Sequence, residues 1–151
     1  MITTKKGDGG MSEYFGKKFS KGGKMLDAIG TLDELQAILG LVGLEKLQND
    51  IYEIMGNLGK ETRNQILETR IIEIEEEMEK IEKKLKIENK FVIFKDDKAM
   101  MLNWARTVAR RAERVVVRLE IRNEKLDKSI LIYLNRLSDF IYLLSLKEER
   151  K

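Results

Sequence analysis

Not one of the 151 residues is proline. Average usage would place roughly seven or eight in a chain of this length. Proline interrupts helices because it lacks a backbone donor and its ring clashes with the preceding turn, so its absence favours long unbroken helices over loop-rich β architecture. The apolar spacing agrees. Leu67, Ile71, Ile74, Met78, Ile81 and Leu85 follow at intervals of 4, 3, 4, 3 and 4, a heptad seam flanked by Glu and Lys. Four further series recur at helical spacing, and the sequence therefore predicts an all-α five-helix bundle. Its helices are expected over about 24–44, 47–60, 67–85, 102–119 and 130–144. Gly43 is the expected stop of the first, Asp96 or Asp97 the N-cap of the fourth and Asp127 that of the fifth. Phe91-Val92-Ile93-Phe94 reads as a short apolar linker. The expected organisation is one domain, 1–151, with a bundle over 24–151 behind a flexible lead segment, 1–23, that holds six of the eleven glycines among lysines.

The chain also lacks Cys and His. Disulfides, thiolate metal sites, the usual zinc centres and His-dependent nucleophiles are thereby excluded. Chemistry is left to carboxylates, hydroxyls, amides, Lys and Arg. The 29 basic and 26 acidic residues are interspersed, for a net charge of +3, so overall basicity says little about nucleic acid. The N-terminus has no apolar signal region, and the apolar stretch near the C-terminus is interrupted by Asn135, Arg136 and Asp139. No membrane span is expected, and the location expected is cytoplasmic.

Positive charge gathers on the fourth helix, where Arg106, Arg110, Arg111, Arg114, Arg118 and Arg122 face only Glu113 and Glu120. Arg106, Arg110 and Glu113 recur at i, i+4 and i+7 on one face, and Arg111, Arg114 and Arg118 at i, i+3 and i+7 on another. A guanidinium is a planar fork suited to phosphate or carboxylate. By charge alone the row also reads as a solvated face with local Glu–Arg pairs. The lead segment supplies a second signal: Thr4-Lys5-Lys6-Gly7-Asp8-Gly9-Gly10 and Ser20-Lys21-Gly22-Gly23 combine open N–H groups, hydroxyls and ammonium groups, the components of a phosphate cradle. Neither a Walker A loop nor G-x-G-x-x-G behind a strand occurs, and by itself the segment describes a polar tail. Asn135, Arg136 and Asp139, set inside an apolar helix, are the third signal. Asp33 and Glu34, near the start of the first helix, read equally as first-turn acids favoured by the dipole.

Together these motifs resemble the PduO-type ATP:cob(I)alamin adenosyltransferases. The family's T-K-x-G-D is Thr4 to Asp8, its Ser-Lys is Ser20-Lys21, its G-T-x-D-E-L is Gly30 to Leu35, its A-R-T-V-x-R-R-A-E-R is Ala105 to Arg114, and its Y-L-N-R-L-S-D is Tyr133 to Asp139. Gln48-Asn49-Asp50 also fits the second helix, so the likeness spans the chain in order. It implies a homotrimer of five-helix bundles with ATP at the subunit interfaces and the lead segment folded over the nucleotide. The implied reaction moves the 5′-deoxyadenosyl group of ATP to the cobalt of cob(I)alamin, with Mg²⁺ and release of triphosphate. Carried over by motif, Thr4, Lys5, Lys6, Gly7, Ser12, Lys21, Arg110, Arg111, Glu113, Arg114 and Asn135 hold ATP. Asp33 and Arg106 pair across the interface, and Phe91 covers the lower corrin face. A cobalamin reductase and an adenosylcobalamin-dependent mutase are the implied protein partners; nucleic acid is not among them.

The implied chemistry suits the composition, because cob(I)alamin is itself the nucleophile and needs no protein base or thiol; the protein orients the reactants and neutralises the leaving triphosphate. Departures from the pattern lie at Lys6 for a usual Thr, Met25 for Arg, Gln36 for Asn, Asn103 for His, and after Phe91, where the family's Pro-Gly-Gly loop is missing and Phe94 offers a second aromatic. Two other readings stand beside it: a non-catalytic nucleotide- or corrinoid-binding escort of the same fold, and a basic helical module that grips nucleic acid with affinity falling steeply with salt.

Overall fold

The computed structural model describes residues 1–60, 62–88, 90–120 and 126–151. Its five helices are α1 (Lys24–Leu41), α2 (Glu45–Asn57), α3 (Gln65–Glu82), α4 (Asp97–Glu120) and α5 (Lys128–Glu149), preceded by strands β1 (Met11–Tyr14) and β2 (Lys17–Ser20). Arg122 of the arginine row lies outside the described residues.

Local chemistry accounts for the helix limits. After α1 the chain turns at Gly43, whose φ of 76° suits glycine, and Gly43 and Leu44 return their N–H groups to the carbonyls of Gly40 and Leu39. The side chain of Asn64 accepts from the N–H of Leu67 to start α3, and Asp96 accepts from Ala99 to start α4. Asp127 caps α5 through Ser129 and also accepts from the backbone of Asn64 at 2.6 Å, joining the starts of α3 and α5. Burial opposes the Asp127 charge, but these donors and the nearby Arg63 outweigh it and hold the carboxyl below its usual range. α4 begins five residues earlier than its apolar series, because Asp96 and the buried Ala99 start the helix before Leu102 enters the main core.

The main core is Leu, Ile, Val and Ala from all five helices, with Leu32, Leu35, Ile51, Leu67, Leu134 and Leu137 at its centre. α5 is long and apolar enough to cross a membrane by length and composition only, and 56% of that stretch is buried inside the bundle. It is the core helix, lying between α3 and α4.

The lead segment is not wholly irregular. β1 and β2 form an antiparallel hairpin in the register Met11↔Ser20 to Tyr14↔Lys17, an element that the flexible lead segment was not expected to contain. Its two-residue turn, Phe15-Gly16, has both φ values positive, at 49° and 72°. That turn type twists as paired strands do, but Asn or Asp is its usual first residue, so Phe15 concealed the signal.

Candidate active site

The Y-L-N-R-L-S-D stretch of α5 spreads its side chains around the helix by their chemistry. Tyr133 points inward and donates to Asp50 of α2 at 2.6 Å, while Arg70 of α3 donates to both oxygens of the same carboxylate at 2.9 and 3.0 Å. Burial first, and then the Asp50 charge, push the Tyr133 hydroxyl well above its usual pKa. Arg136 turns outward to Glu75 at 2.6 Å. Asn135 and Asp139, one turn apart, face α4 and meet Arg110.

Arg110 is thereby held by three acceptors. Its guanidinium donates to Glu113 at 3.1 Å on its own helix, to Asn135 at 3.1 Å and to Asp139 at 2.6 Å. One turn earlier, Arg106 donates to Asn103 at 2.9 Å and lies 6.0 Å from the Tyr142 ring centroid. Arg111 pairs with Glu34, bridging α4 to α1. Arg114 and Asp33 are exposed; Asp33 accepts from Gln36 at 2.9 Å. No ion pair joins Asp33 to Arg106 within the chain among the described residues.

Between α4, α5 and the segment before α4 lies a cavity of about 630 Å³, where Phe91, Arg106, Arg110 and Asp139 meet. Along segment 91–94, which belongs to no helix or strand, burial alternates. Val92 and Phe94 turn inward; Phe91 and Ile93 turn out. Phe94 is 9% exposed in a small cluster with Ala99 and Leu146, its ring edge-on to Tyr142 at 6.4 Å, whereas Phe91 is fully exposed at 104%. Glu149, at the end of α5, fixes this segment by accepting from the N–H groups of Lys95 and Asp96. Both aromatics line the cavity; Phe94 is packed and anchors the segment, whereas Phe91 is fully exposed.

In the lead segment Thr4, Lys6, Gly7, Ser12 and Lys21 line a second cavity, of about 760 Å³. Lys21 donates to the Gly7 carbonyl at 2.9 Å, and a Cβ on Gly7 would sit 2.8 Å from that ammonium, so a larger residue there would have to displace the Lys21 head from the cavity. Lys5 does not line this cavity and occupies the left-handed region at φ 60°. A third recess, of about 510 Å³, joins Lys21 to Arg111. One chain thus brings Thr4, Lys6, Gly7, Ser12 and Lys21 into a lead-segment cradle and Phe91, Arg106 and Arg110 into an α4–α5 cavity, joins Lys21 to Arg111 in a recess beside α1, and leaves Lys5 off the cradle and Asp33 and Arg114 exposed.

Three partners were given no site role from the sequence. Asp139 was singled out with Asn135 and Arg136, and its i+4 spacing from Asn135 is the signal that sets both on one face. Glu34 was read as a dipole acid, and its pairing with Arg111 depends on how α1 packs on α4. Tyr142 gave no sign beyond lying one turn after Ser138.

A family model described as cobalamin adenosyltransferase matches residues 2–148. A corrinoid adenosyltransferase of Bacillus subtilis (strain 168) is 31% identical, over 93% of this chain and 82% of its own length. Among solved structures, an arginine-to-lysine variant of a PduO-type ATP:co(I)rrinoid adenosyltransferase from Lactobacillus reuteri, complexed with ATP, is similar at a TM-score of 0.89 and 26% identity, covering 99% of this chain and 94% of that one. A phenylalanine-to-histidine variant of the Lactobacillus reuteri PduO-type enzyme, complexed with cobalamin and ATP, is similar at 0.86 and 25%, covering 99% and 90%.

Proposed function

Since this chain belongs to the cobalamin adenosyltransferase family, we propose that it moves the 5′-deoxyadenosyl group of ATP to the cobalt of cob(I)alamin, forming adenosylcobalamin and triphosphate. The observation that carries the reading is the single cavity in which an exposed aromatic, Phe91, meets Arg106 and an Arg110 already oriented by Asn135 and Asp139.

In the reaction the Co(I) electron pair forms the cobalt–carbon bond while the C5′–oxygen bond breaks and its electrons leave with triphosphate. No protein base takes part. Arg110, Arg111, Arg114, Lys5 and Lys21 neutralise the polyphosphate as charge grows on the leaving oxygen, and Thr4, Lys6, Gly7, Ser12, Glu113 and Asn135 complete the ATP contacts. Phe91, with no burial of its own to lose, covers the lower corrin face and excludes water and the base from cobalt. Mg²⁺ belongs to the proposal as the ion that screens the ATP phosphates and is carried mainly by them.

The proposed assembly is a homotrimer with sites between subunits, 1–23 closing over the nucleotide and 24–151 forming each bundle. Asp33 and Arg106 then pair across the interface, which accords with their hydrogen bonds within one chain, among the described residues, going to the neutral side chains of Gln36 and Asn103. Trp104 on α4 and Leu41 on α1 leave apolar surface for such a contact. The proposed location is cytoplasmic, with a cobalamin reductase supplying Co(I) and an adenosylcobalamin-dependent mutase taking the product.

The test is the visible spectrum of chemically reduced cob(I)alamin under anaerobic conditions, before and after protein and Mg-ATP. Growth of light-sensitive adenosylcobalamin that requires both is expected. Confirmed ATP binding with no cobalt–carbon bond formed would leave the escort reading in its place.

A further inference from the structure

Two strands of four residues are at best marginally stable in water without packing, and this hairpin also carries a non-glycine residue, Phe15, in the left-handed region. Its order has to come from the bundle. The hydroxyl of Tyr14 donates to the carbonyl of Met55, which lies in the last turn of α2, where no intrahelical N–H remains to reach it. Tyr14 therefore satisfies an orphan acceptor while fastening the end of β1. Among the described residues this is the one side-chain hydrogen bond from either strand to a helix. The Phe15 ring meets Tyr14 edge-on with centroids 4.4 Å apart, and the Lys60 ammonium, just past α2, sits 4.6 Å from the Phe15 centroid. Partial burial raises the pKa of the Tyr14 hydroxyl, so it remains a donor throughout the neutral range.

Ser12 lies two residues before Tyr14, on the same face of β1, and lines the lead-segment cavity with Thr4, Lys6, Gly7 and Lys21. We propose that Tyr14 is a positioning residue for the nucleotide: by pinning β1 to the end of α2 it sets Ser12 and the 4–10 loop in place before ATP arrives. The inference rests on the adenosyltransferase reading only in taking that cavity as part of the ATP site. Phe19 still packs β2 against the main core, but without the pin ATP binding must supply the order of β1 and the 4–10 loop, which weakens affinity without altering the bound complex.

Tyr14→Phe keeps the ring and its edge contact and removes only the hydroxyl. The Kd and KM for ATP are expected to rise about fivefold, the factor set by one net hydrogen bond of about 1 kcal/mol. Expected to stay unchanged are kcat at saturating ATP and KM for cob(I)alamin. Tryptic cleavage at Lys17, Lys18 and Lys21 is expected to quicken without ATP and to return to the wild-type rate at saturating ATP. Lys60→Ala, which leaves the hydroxyl in place, shifts ATP affinity the same way by less. Unchanged ATP affinity and cleavage would overturn the proposal. So would a variant that fails to fold, or one in which both KM values rise together, since either makes the contact merely structural. The ATP-binding and cleavage measurements need no corrinoid, so they stand even where the wild type forms no adenosylcobalamin, a result that would refute the functional reading alone.

Discussion

Phe91→Ala and Phe94→Ala, three residues apart in one linker, are expected to fail in opposite ways. Phe94 is 9% exposed against Ala99, Leu146 and the Tyr142 edge. Truncating a buried Phe costs about 3–5 kcal/mol, and in so small a cluster the lower end applies, about 3 kcal/mol. For a domain of this size that lowers Tm by roughly 6–12 °C. Phe91 is fully exposed, so its truncation loses no burial and stability stays within about 0.5 kcal/mol. Its cost falls on the reaction. If the ring becomes buried against the corrin only as the reactive state forms, about 2 kcal/mol is lost there, a fall in kcat of about 30-fold. Thermal melting monitored by circular dichroism and anaerobic adenosylation at saturating ATP read the two effects separately. A Phe91→Ala protein with wild-type kcat, or a Phe94→Ala protein with wild-type Tm, refutes the assignment of which aromatic faces the substrate.

Arg110→Ala removes charge-assisted hydrogen bonds to phosphate worth about 1.5–3 kcal/mol, so kcat/KM for ATP is expected to fall roughly 10- to 150-fold, with KM raised and kcat lowered; near-wild-type kinetics would take Arg110 out of the site. Tyr133→Phe deletes the 2.6 Å bond to Asp50 but leaves Arg70 on that carboxylate, for an expected loss of about 1.5 kcal/mol in urea unfolding at pH 7. Because the folded-state pKa of Tyr133 is raised, the wild-type advantage is full below the unfolded pKa of about 10 and lost as pH rises above it; a gap that widens in alkali would contradict this. Asp33→Asn, exposed within one chain, is expected to leave the monomer's helicity intact while lowering the trimer fraction in sedimentation and, with it, kcat. A wild-type mass of one subunit at assay concentration would end the interface proposal.

The helices were legible because their signals are local. Period-3.6 apolar spacing, the Asp127 cap and the Gly43 stop depend on residues within a turn or two of one another, and the structure retains each. The arginine row and the lead glycines were legible as charge and backbone freedom, which need no neighbours. The hairpin was not, because a strand is stabilised by its partner and by what covers it, here an α2 carbonyl 41 residues away from Tyr14. The choice between Phe91 and Phe94 was open for a similar reason: alternation states that two faces exist, and only packing against Tyr142 and Leu146 decides which is buried. Likewise the sequence shows that Arg110 is basic and faces along a helix. That it is held by Asn135 and Asp139, while Tyr133 of the same stretch reaches the other way to Asp50, follows from how α5 lies between its neighbours, a long-range arrangement that no spacing along a single helix encodes.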